Sequence, residues 1–293
     1  MHKHTLNTVS EQEINEFARR ALAEDMGGGD LTAALIPAGA LCTASVISRE
    51  AAVLCGVAWF EAVFHALDKS IVIEWQAVDG SAIQVNQTVC TLKGPARALL
   101  SGERTALNFL QTLSGTATLA RRYADAVAGT DVKILDTRKT LPGLRAAQKY
   151  AVVCGGCHNH RHGLYDGILI KENHIAAAGS ITAAVRAAQA LNRPDVLLEV
   201  EVENMRGLDE ALASGARRLL LDNFSLDDLK AAVVRVKTHA EGDIKLEASG
   251  GVTLDNVRAI AQTGVDYISV GDLTKNVRAV DLSMRFKQES ADQ

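Results

Sequence analysis

The chain lacks any apolar run approaching the roughly 20 residues that a membrane-spanning helix needs. No apolar stretch follows Met1–Thr5 either, so we expect no secretory signal and a cytoplasmic location. The five cysteines are an odd number scattered over 293 residues, which indicates reduced thiols and not a disulfide framework. The formal net charge of −4 argues against non-specific nucleic-acid binding, so neither a nucleic-acid nor a membrane partner is expected.

Positive charge is nevertheless concentrated locally. The lysines and arginines concerned are Arg97, Arg104, Arg138, Lys139, Arg145, Lys149, Arg161 and Lys171. A local basic cluster in an acidic protein suits a small polyanion better than a nucleic acid. We therefore expect a small, strongly anionic ligand.

The first part of the chain predicts alternating helices and short strands. Residues 9–30 begin with a helical pattern that ends at Gly27–Gly29. Four short strands are then predicted at Ala44–Ile47, Val53–Val57, Ile71–Trp75 and Val89–Leu92. A long helix should follow from Arg97 to about Val127, broken near Ser114-Gly115.

These patterns indicate two domains. An N-terminal α+β sandwich domain is predicted over 1–115. Residues 276–293 should join it, because the last segment, Asp281–Lys287, is expected to return to the first domain. The second domain is predicted over 116–275.

The second domain is dominated by six β-branched or leucine-rich runs that alternate with helical stretches. The runs are Val132–Asp136, Gly167–Lys171, Val196–Glu201, Arg218–Asp222, Ile244–Ser249 and Val265–Gly271. Such alternation is typical of parallel βα units. The region spans about 140 residues, whereas a complete eight-unit barrel uses about 250. It is therefore either an incomplete parallel (β/α) barrel, whose open seam a partner subunit would cover, or an open doubly wound sheet.

Charged and small polar residues lie where these runs end. They are Asp136, Thr137, Arg138, Lys139, Lys171, Glu201, Asp222, Ser249, Gly250, Gly251 and Gly271. Chemistry in parallel sheets collects at the carboxyl ends of strands. Carboxylates there can perform acid/base chemistry or bind a divalent ion, and small residues expose backbone N–H groups to phosphate. The pattern indicates an enzyme that acts on an anionic substrate.

Two motifs allow a structural as well as a functional interpretation. Arg104 shares a helix face with Leu100 and Leu107, so it either packs at the edge of that face or binds a carboxylate. Cys154-Gly155-Gly156-Cys157-His158 matches a haem-attachment pattern and could pass for part of a zinc cluster. No second cysteine pair exists and Arg161 is close by, so we interpret the motif as a polar loop without metal.

Seven spaced motifs resemble the quinolinate phosphoribosyltransferase family (nicotinate-nucleotide pyrophosphorylase, carboxylating), a type II phosphoribosyltransferase family. The motifs are Glu24–Thr32, Gly102–Asn108, Asp136–Gly143, Asn159–Arg161, Ile170–His174, Leu221–Asn223 and Ser249–Gly251. The resemblance covers nearly the whole chain. One departure is Cys157, where the family often has glycine or another small residue, followed by the bulky His158.

The resemblance implies that quinolinate and phosphoribosyl pyrophosphate give nicotinate mononucleotide, pyrophosphate and carbon dioxide, with Mg²⁺, in NAD biosynthesis. It implies a homodimer with shared active sites, in which Arg104 reaches quinolinate from the partner subunit. Arg138, His160 and Arg161 would bind the two carboxylates of quinolinate. Lys139 and Lys171 would serve quinolinate or the pyrophosphate. Further implied contacts are Glu201 and Asp222 with ribose hydroxyls and magnesium, and Ser249, Gly250, Gly251 and Gly271 with the 5-phosphate.

Two other functions stay open from the sequence. A related phosphoribosyltransferase acting on nicotinate or another ring acid would leave part of the basic cluster unmatched. A catalytically silent homologue could bind nucleotides or phosphate as a regulator. The joint presence of Arg104, Arg138, Lys171, Glu201 and Asp222 argues against the silent homologue.

Overall fold

The computed structural model describes residues 9–191, 193–239 and 243–288. The helices are α1 Glu11–Met26, α2 Val57–Leu67, α3 Ala96–Ala126, α4 Arg145–Cys154, α5 Glu172–Ala178, α6 Ile181–Ala190, α7 Met205–Ala213, α8 Leu226–His239, α9 Val257–Ala261 and α10 Asp272–Lys275. The strands are β1 Leu41–Ser48, β2 Ala52–Val53, β3 Val72–Trp75, β4 Ala82–Ile83, β5 Thr88–Pro95, β6 Lys133–Leu135, β7 Gly167–Ile170, β8 Leu197–Val202, β9 Arg218–Asp222, β10 Lys245–Ser249, β11 Tyr267–Ser269 and β12 Leu282–Gln288.

The chain divides into two units, each described here by itself. Unit 1 contains the described residues of 1–121, 146–156 and 277–293, and unit 2 those of 122–145 and 157–276. Residues 116–121 and 146–156 thus group with unit 1, although they lie within the range that the sequence analysis gave to the second domain. Within the described chain, we find no helix with the length and apolar character needed to cross a bilayer.

Unit 1 is built on an antiparallel sheet with the strand order β12-β1-β5-β3. The last strand pairs with the first, with Ala44 opposite Phe286, so the predicted return of the C-terminal segment is confirmed. Alternate residues of β1 are buried, and Phe60 and Phe64 of α2 belong to the same hydrophobic core as β1. This helix-and-sheet core confirms the predicted α+β architecture.

Helix α3 runs unbroken through Ser114 and Gly115, so the predicted break is wrong. The Ser114 hydroxyl accepts a hydrogen bond from the Cys55 amide at 2.9 Å and donates one to the Cys55 carbonyl at 3.1 Å. A Cβ atom on Gly115 would collide with the backbone carbonyl of Arg278. Both residues therefore serve close packing along the helix, and neither ends it.

Two helices include residues that the sequence analysis assigned to a strand or a loop. The predicted strand Val53–Val57 ends at Val53, and α2 begins at Val57. Helix α2 buries Trp59, Phe60 and Phe64, so its apolar residues show little of the one-sided pattern that distinguishes a helix. Helix α4 ends at Cys154, so the interpretation of this cysteine as part of a polar loop is wrong.

Unit 2 is built on a six-stranded parallel sheet with the order β6-β11-β10-β9-β8-β7. Five strands follow chain order, and the last of them, β11, pairs with the first strand, β6. A doubly wound sheet would instead reverse its strand order at a switch point. The order confirms an incomplete barrel, in which the described strands β6 and β7 are the two edges of the sheet.

Candidate active site

The strand register brings most of the predicted site residues to one edge of unit 2. Ser249 at the end of β10 is paired with Asp222 at the end of β9. Glu201 of β8 is paired with Leu220, two residues before Asp222. Lys171 directly follows β7. Because all six strands are parallel, these side chains lie at the carboxyl end of the sheet.

A cavity of about 270 Å³ lies beyond the last strands of unit 2. Its lining includes Thr137, Lys139, Ser249, Gly250, Gly251, Val252, Thr253, Ser269, Gly271, Asp272 and Lys275. The sequence analysis predicted Thr137, Lys139, Ser249 and the three glycines, and it missed Thr253 and Lys275. Thr253 and Lys275 are close in sequence to Gly251 and Gly271, but this proximity alone does not distinguish them from ordinary surface residues.

Glycine is required at one point of this cavity and allows close packing at a second. Gly250 has a φ of +94°, and a Cβ atom there would collide with the side chain of Asn223. A Cβ on Gly271 would lie 3.2 Å from Cδ of Lys139, so the small residue allows the lysine to pack there. The main chain of Lys139 is held by two hydroxyls: Thr137 Oγ1 accepts from its N–H at 3.1 Å, and Thr274 Oγ1 donates to its carbonyl at 2.7 Å. The cavity thus combines a lysine, hydroxyls and close backbone, which suits a phosphate.

Arg138 and Arg161 form a cationic pair in unit 2. Nε of Arg138 is buried and has no hydrogen-bond partner among the described residues. Burial lowers the pKa of Arg161, and the nearby charge of Arg138 lowers it further. One guanidinium nitrogen of Arg161 donates to the Gly167 carbonyl at 2.9 Å. Two neighbouring guanidinium groups repel each other, and an anion bound between them would relieve the repulsion.

Arg145 supports this pair from the side, a role that the sequence analysis did not assign. Its guanidinium donates to the Arg138 carbonyl at 3.3 Å and to the His162 carbonyl at 3.2 Å. It also donates to the Thr140 hydroxyl at 3.2 Å. Arg145 therefore links the segment that carries Arg138 to the segment that carries Arg161.

His160 points its ring into the interior of unit 2. Nε2 lies 2.8 Å from Oε2 of Glu199, and Nδ1 accepts from the Arg161 amide at 2.7 Å. Both ring nitrogens are therefore engaged by the protein. Direct contact between this ring and a substrate, which the resemblance implies, stays a prediction.

Lys171, Glu201 and Asp222 form a mixed-charge group at the same edge. Nζ of Lys171 lies 2.6 Å from Oε2 of Glu201. Burial raises the pKa of Glu201, Lys171 opposes that shift, and the negative charge of Asp222 adds to it. Asp222 accepts a hydrogen bond from the side-chain amide of Asn223 at 2.8 Å. Two neighbouring carboxylates with few other ligands resemble the sparse protein shell that Mg²⁺ takes in nucleotide and phosphate sites.

Arg104 lies in unit 1, on an exposed position of α3. Leu100 and Asn108, one helical turn before and after Arg104, are exposed as well, so this stripe of the helix is solvent-accessible. The helix therefore presents the guanidinium at the surface of this unit. Within unit 1, the positive charge of Arg104 acts on Glu103, where it opposes the rise in pKa that burial causes.

The Cys154–His158 motif is divided between the two units. Cys154 ends α4 in unit 1, and Cys157 belongs to unit 2. His158 extends the edge of β6, where its N–H donates to the Ile134 carbonyl at 2.9 Å. The five cysteines are free thiols and buried.

Stability should depend on pH through a buried acid of unit 2. Burial and the neighbouring Glu199 raise the pKa of Glu247 from 4.5 to about 7. The folded protein thus holds this proton more tightly than the unfolded chain. The resulting stabilisation is complete below pH 4.5 and is lost as the pH rises through 7.

We expect the free energy of unfolding to fall between pH 5 and 8, by at most about 3 kcal/mol from this group. Urea unfolding at several pH values should show this slope in the wild-type protein and a flatter one in Glu247→Gln. Equal slopes in the two proteins would contradict the assignment to Glu247.

The open barrel, the cavity suited to a phosphate, the two arginines and the two carboxylates are features of an enzyme that acts on anionic substrates. Two family models cover most of the chain. The model described as quinolinate phosphoribosyl transferase, C-terminal domain, matches residues 116–285, and the N-terminal domain model matches residues 30–114. The chain belongs to the quinolinate phosphoribosyl transferase family.

Individual relatives agree with the family models. A probable nicotinate-nucleotide pyrophosphorylase (carboxylating) of Bacillus subtilis is 41% identical over 272 residues, which cover 93% of each chain. The nicotinate-nucleotide pyrophosphorylase (carboxylating) of Mycobacterium leprae is 45% identical over 273 residues, covering 91% of this chain and 94% of that one. The solved nicotinate-nucleotide pyrophosphorylase of Francisella tularensis is 44% identical, with a TM-score of 0.92 over 98% of this chain and all of that one.

Proposed function

We propose that this chain transfers the phosphoribosyl group of phosphoribosyl pyrophosphate to quinolinate and decarboxylates the product. The products are nicotinate mononucleotide, pyrophosphate and carbon dioxide, a step of NAD biosynthesis. The observation that carries the choice of substrate is the buried Nε of Arg138, which has no hydrogen-bond partner in the described part of the chain, together with Arg161, on which the charge of Arg138 acts.

A dicarboxylate matches this pair better than a mono-acid does. Guanidinium groups bind carboxylates through two parallel hydrogen bonds, so two arginines suit two carboxylates. The ring of His160 is engaged by Glu199, so we assign carboxylate binding to Arg138 and Arg161. His160 then helps to position Arg161, whose backbone N–H donates to Nδ1 of the His160 ring.

Phosphoribosyl pyrophosphate fits the remaining features of the carboxyl edge. Its 5-phosphate would occupy the cavity between Ser249–Gly251 and Gly271. Lys139 lines that cavity, and it or Lys171 would bind the pyrophosphate. Glu201 and Asp222 would bind ribose hydroxyls and hold Mg²⁺, which would offset the charge of the pyrophosphate.

The chemistry requires charge stabilisation more than a dedicated base. The ring nitrogen of quinolinate attacks C1 of the ribose while the bond to pyrophosphate breaks and pyrophosphate takes the electron pair. The ribose becomes electron-poor, and the carboxylates of Glu201 and Asp222 can stabilise it. The carbon–carboxyl bond then breaks, the pyridinium nitrogen stabilises the electron pair left on the ring, and a proton from water replaces the carbon dioxide.

We also propose a homodimer with shared active sites, located in the cytoplasm. The described edges of the barrel sheet, β6 and β7, require cover. Both units expose large apolar side chains, with Leu31 and Leu35 more than 80% exposed in unit 1, and Leu164 and Tyr165 75% exposed in unit 2. Exposed apolar patches are typical of protein interfaces. Free thiols in the described chain are consistent with a reducing compartment.

The proposed reaction is tested with quinolinate labelled in the carboxyl group next to the ring nitrogen. We expect labelled carbon dioxide only when enzyme, phosphoribosyl pyrophosphate and Mg²⁺ are all present. Unlabelled nicotinate serves as the control substrate and should give little nucleotide, because it leaves one arginine unmatched. Nucleotide formation from nicotinate without use of quinolinate would refute the choice of substrate, and no turnover of either would favour a silent binding protein.

A further inference from the structure

Four ionisable side chains meet in the interior of unit 2, beneath the proposed active site. Glu199 of β8 is paired in register with Arg218 of β9, and Glu247 of β10 is paired with Leu220. Since residues i and i+2 of a strand share a face, Glu199, Arg218 and Glu247 all point to the same side of the sheet. His160 reaches the same place from the loop that follows β6.

This group lies one layer below the carboxyl edge. Glu199 is two residues before Glu201 on β8, and Glu247 is two residues before Ser249 on β10. Glu199 and Glu247 are completely buried. Charged residues are almost never fully buried unless they are paired, so their partners matter.

Arg218 connects the two glutamates. Its Nε donates to Oε1 of Glu199 at 2.9 Å, and a terminal nitrogen donates to Oε2 of Glu247 at 2.6 Å. Its guanidinium also stacks over the ring of Tyr267, 3.5 Å from the centroid. The hydroxyl of Ser269 donates to Oε1 of Glu247. Arg218 is thus held by a carboxyl group on either side and by an aromatic ring.

A metal ion is a poorer explanation of the same residues. His160, Glu199 and Glu247 place ligand atoms within 4.8 Å of one another, a spacing that a metal could use. Arg218, however, already binds a carboxylate oxygen of each glutamate. A second cation in contact with these groups would repel the guanidinium. The internal cation of this cluster is therefore Arg218.

The cluster determines the state of the His160 ring. Nδ1 accepts from the Arg161 amide, so the proton of the neutral ring is on Nε2 and is donated to Glu199. The main chain of His160 is tied as well, because its N–H donates to Oδ1 of the buried Asp136 at 2.9 Å. Arg161 follows His160 directly, and Arg138 lies two residues after Asp136.

We propose that Arg218, held by Glu199 and Glu247, is a positioning residue that fixes the His160 ring and thereby aligns Arg161 with Arg138 for the substrate carboxylates. This proposal rests on the proposed function for the identity of the carboxylate substrate. The orientation of His160 itself does not depend on it. Metal-binding histidines offer an analogy: a carboxylate or carbonyl that accepts a hydrogen bond from the second ring nitrogen sets the tautomer and orientation of the histidine.

The decisive variant is Arg218→Met, which preserves much of the side-chain length but removes the bridge between the glutamates. We expect the KM for quinolinate to rise by about 10- to 100-fold, the range typical for groups that orient a binding residue. The KM for phosphoribosyl pyrophosphate should stay within about twofold, because Arg218 is not among the residues that line the phosphate cavity. Arg218→Lys should recover part of the loss, since lysine restores the positive charge but cannot donate to both glutamates with the planar geometry of a guanidinium.

A spectroscopic measurement separates positioning from general destabilisation. Nitrogen-15 signals of the His160 ring, recorded without substrate, should report the Nε2–H form in the wild type and a different tautomer or a mixture in Arg218→Met. The matched control is Arg235→Met, which removes an arginine of α8 from an exposed pair with Asp209 of α7. It should leave the ring signals and both KM values unchanged.

The outcomes distinguish this proposal from the proposed function. A folded Arg218→Met protein with an unchanged quinolinate KM and unchanged His160 signals would overturn the positioning role. Equal rises in both KM values with unchanged ring signals would overturn it too. Should Arg218→Met not fold, the same criteria apply to Arg218→Lys. If the wild type does not use quinolinate at all, the proposed function fails, and the ring signals still decide whether Arg218 sets the state of His160.

Discussion

Arg138→Ala should lose most of its activity with quinolinate. The buried Nε of Arg138 lies in a cationic pair with Arg161, and truncation would leave one substrate carboxylate desolvated without its partner. Removing one member of such a buried charge pair costs about 3–5 kcal/mol, so kcat/KM for quinolinate should fall at least about a hundredfold. Steady-state kinetics with each substrate varied in turn would measure the loss, which should be much smaller for phosphoribosyl pyrophosphate.

The stability of this variant provides an internal control. The charge of Arg138 acts unfavourably on Arg161, so its removal should not lower the thermal midpoint of the ligand-free protein. Arg235→Ala, a truncation in an exposed ion pair between α8 and α7, should keep near wild-type activity. A folded Arg138→Ala protein with near-normal quinolinate kinetics would show that the 136–140 segment is only a solvated loop.

The sequence predicted the parallel strands of unit 2, because each strand is an apolar run that can be recognised from its own residues. Arg218–Asp222 has the predicted bounds, and Leu197–Val202 is displaced by one residue from its prediction. Parallel strands buried on both faces are continuous apolar runs, which are visible without knowledge of their neighbours. Their ends then indicated the site edge, because the carboxyl ends of parallel strands lie together.

In the two helices whose residues the sequence analysis assigned to a strand or a loop, the buried residues do not follow a clear helical period. Helix α4 buries Gln148 and Lys149 along with Ala147 and Ala151, so polar residues interrupt its apolar stripe. The sequence predicted a break in α3 near Gly115, yet the lack of a Cβ there lets the backbone at Arg278 approach the helix. Such close approaches depend on residues more than 150 positions apart and leave no local pattern.

The buried charge cluster could be predicted only in part. Glu199 and Glu201 are two residues apart on one strand, so they share a face. The sequence did not show that Arg218 would pair with Glu199, because register between strands decides this contact. Without the register, Glu199 could not be distinguished from the carboxylates of the site, although it lies one layer below them.

Mixed dimers of Arg104→Ala and Lys171→Ala should regain activity that neither variant has alone. Arg104 is exposed on unit 1, and Lys171 binds Glu201 at the carboxyl edge of unit 2. If Arg104 serves the site of the opposite subunit, each homodimer lacks one group at both of its sites. A mixed dimer places both lesions in one site and leaves the other intact, so it should have up to about half of the wild-type activity by the two-fold symmetry.

The matched control combines two lesions of the same unit, Arg138→Ala and Lys171→Ala. Both residues belong to unit 2, so every site of their mixed dimer contains one lesion whichever subunit supplies Arg104. Co-folding this pair should restore no activity, and affinity tags on the two chains would confirm in both experiments that mixed dimers form. Recovery with the Arg104 pair alone supports a shared site. If mixed dimers form and the Arg104 pair stays inactive, Arg104 has to act within its own chain, and the shared site is refuted.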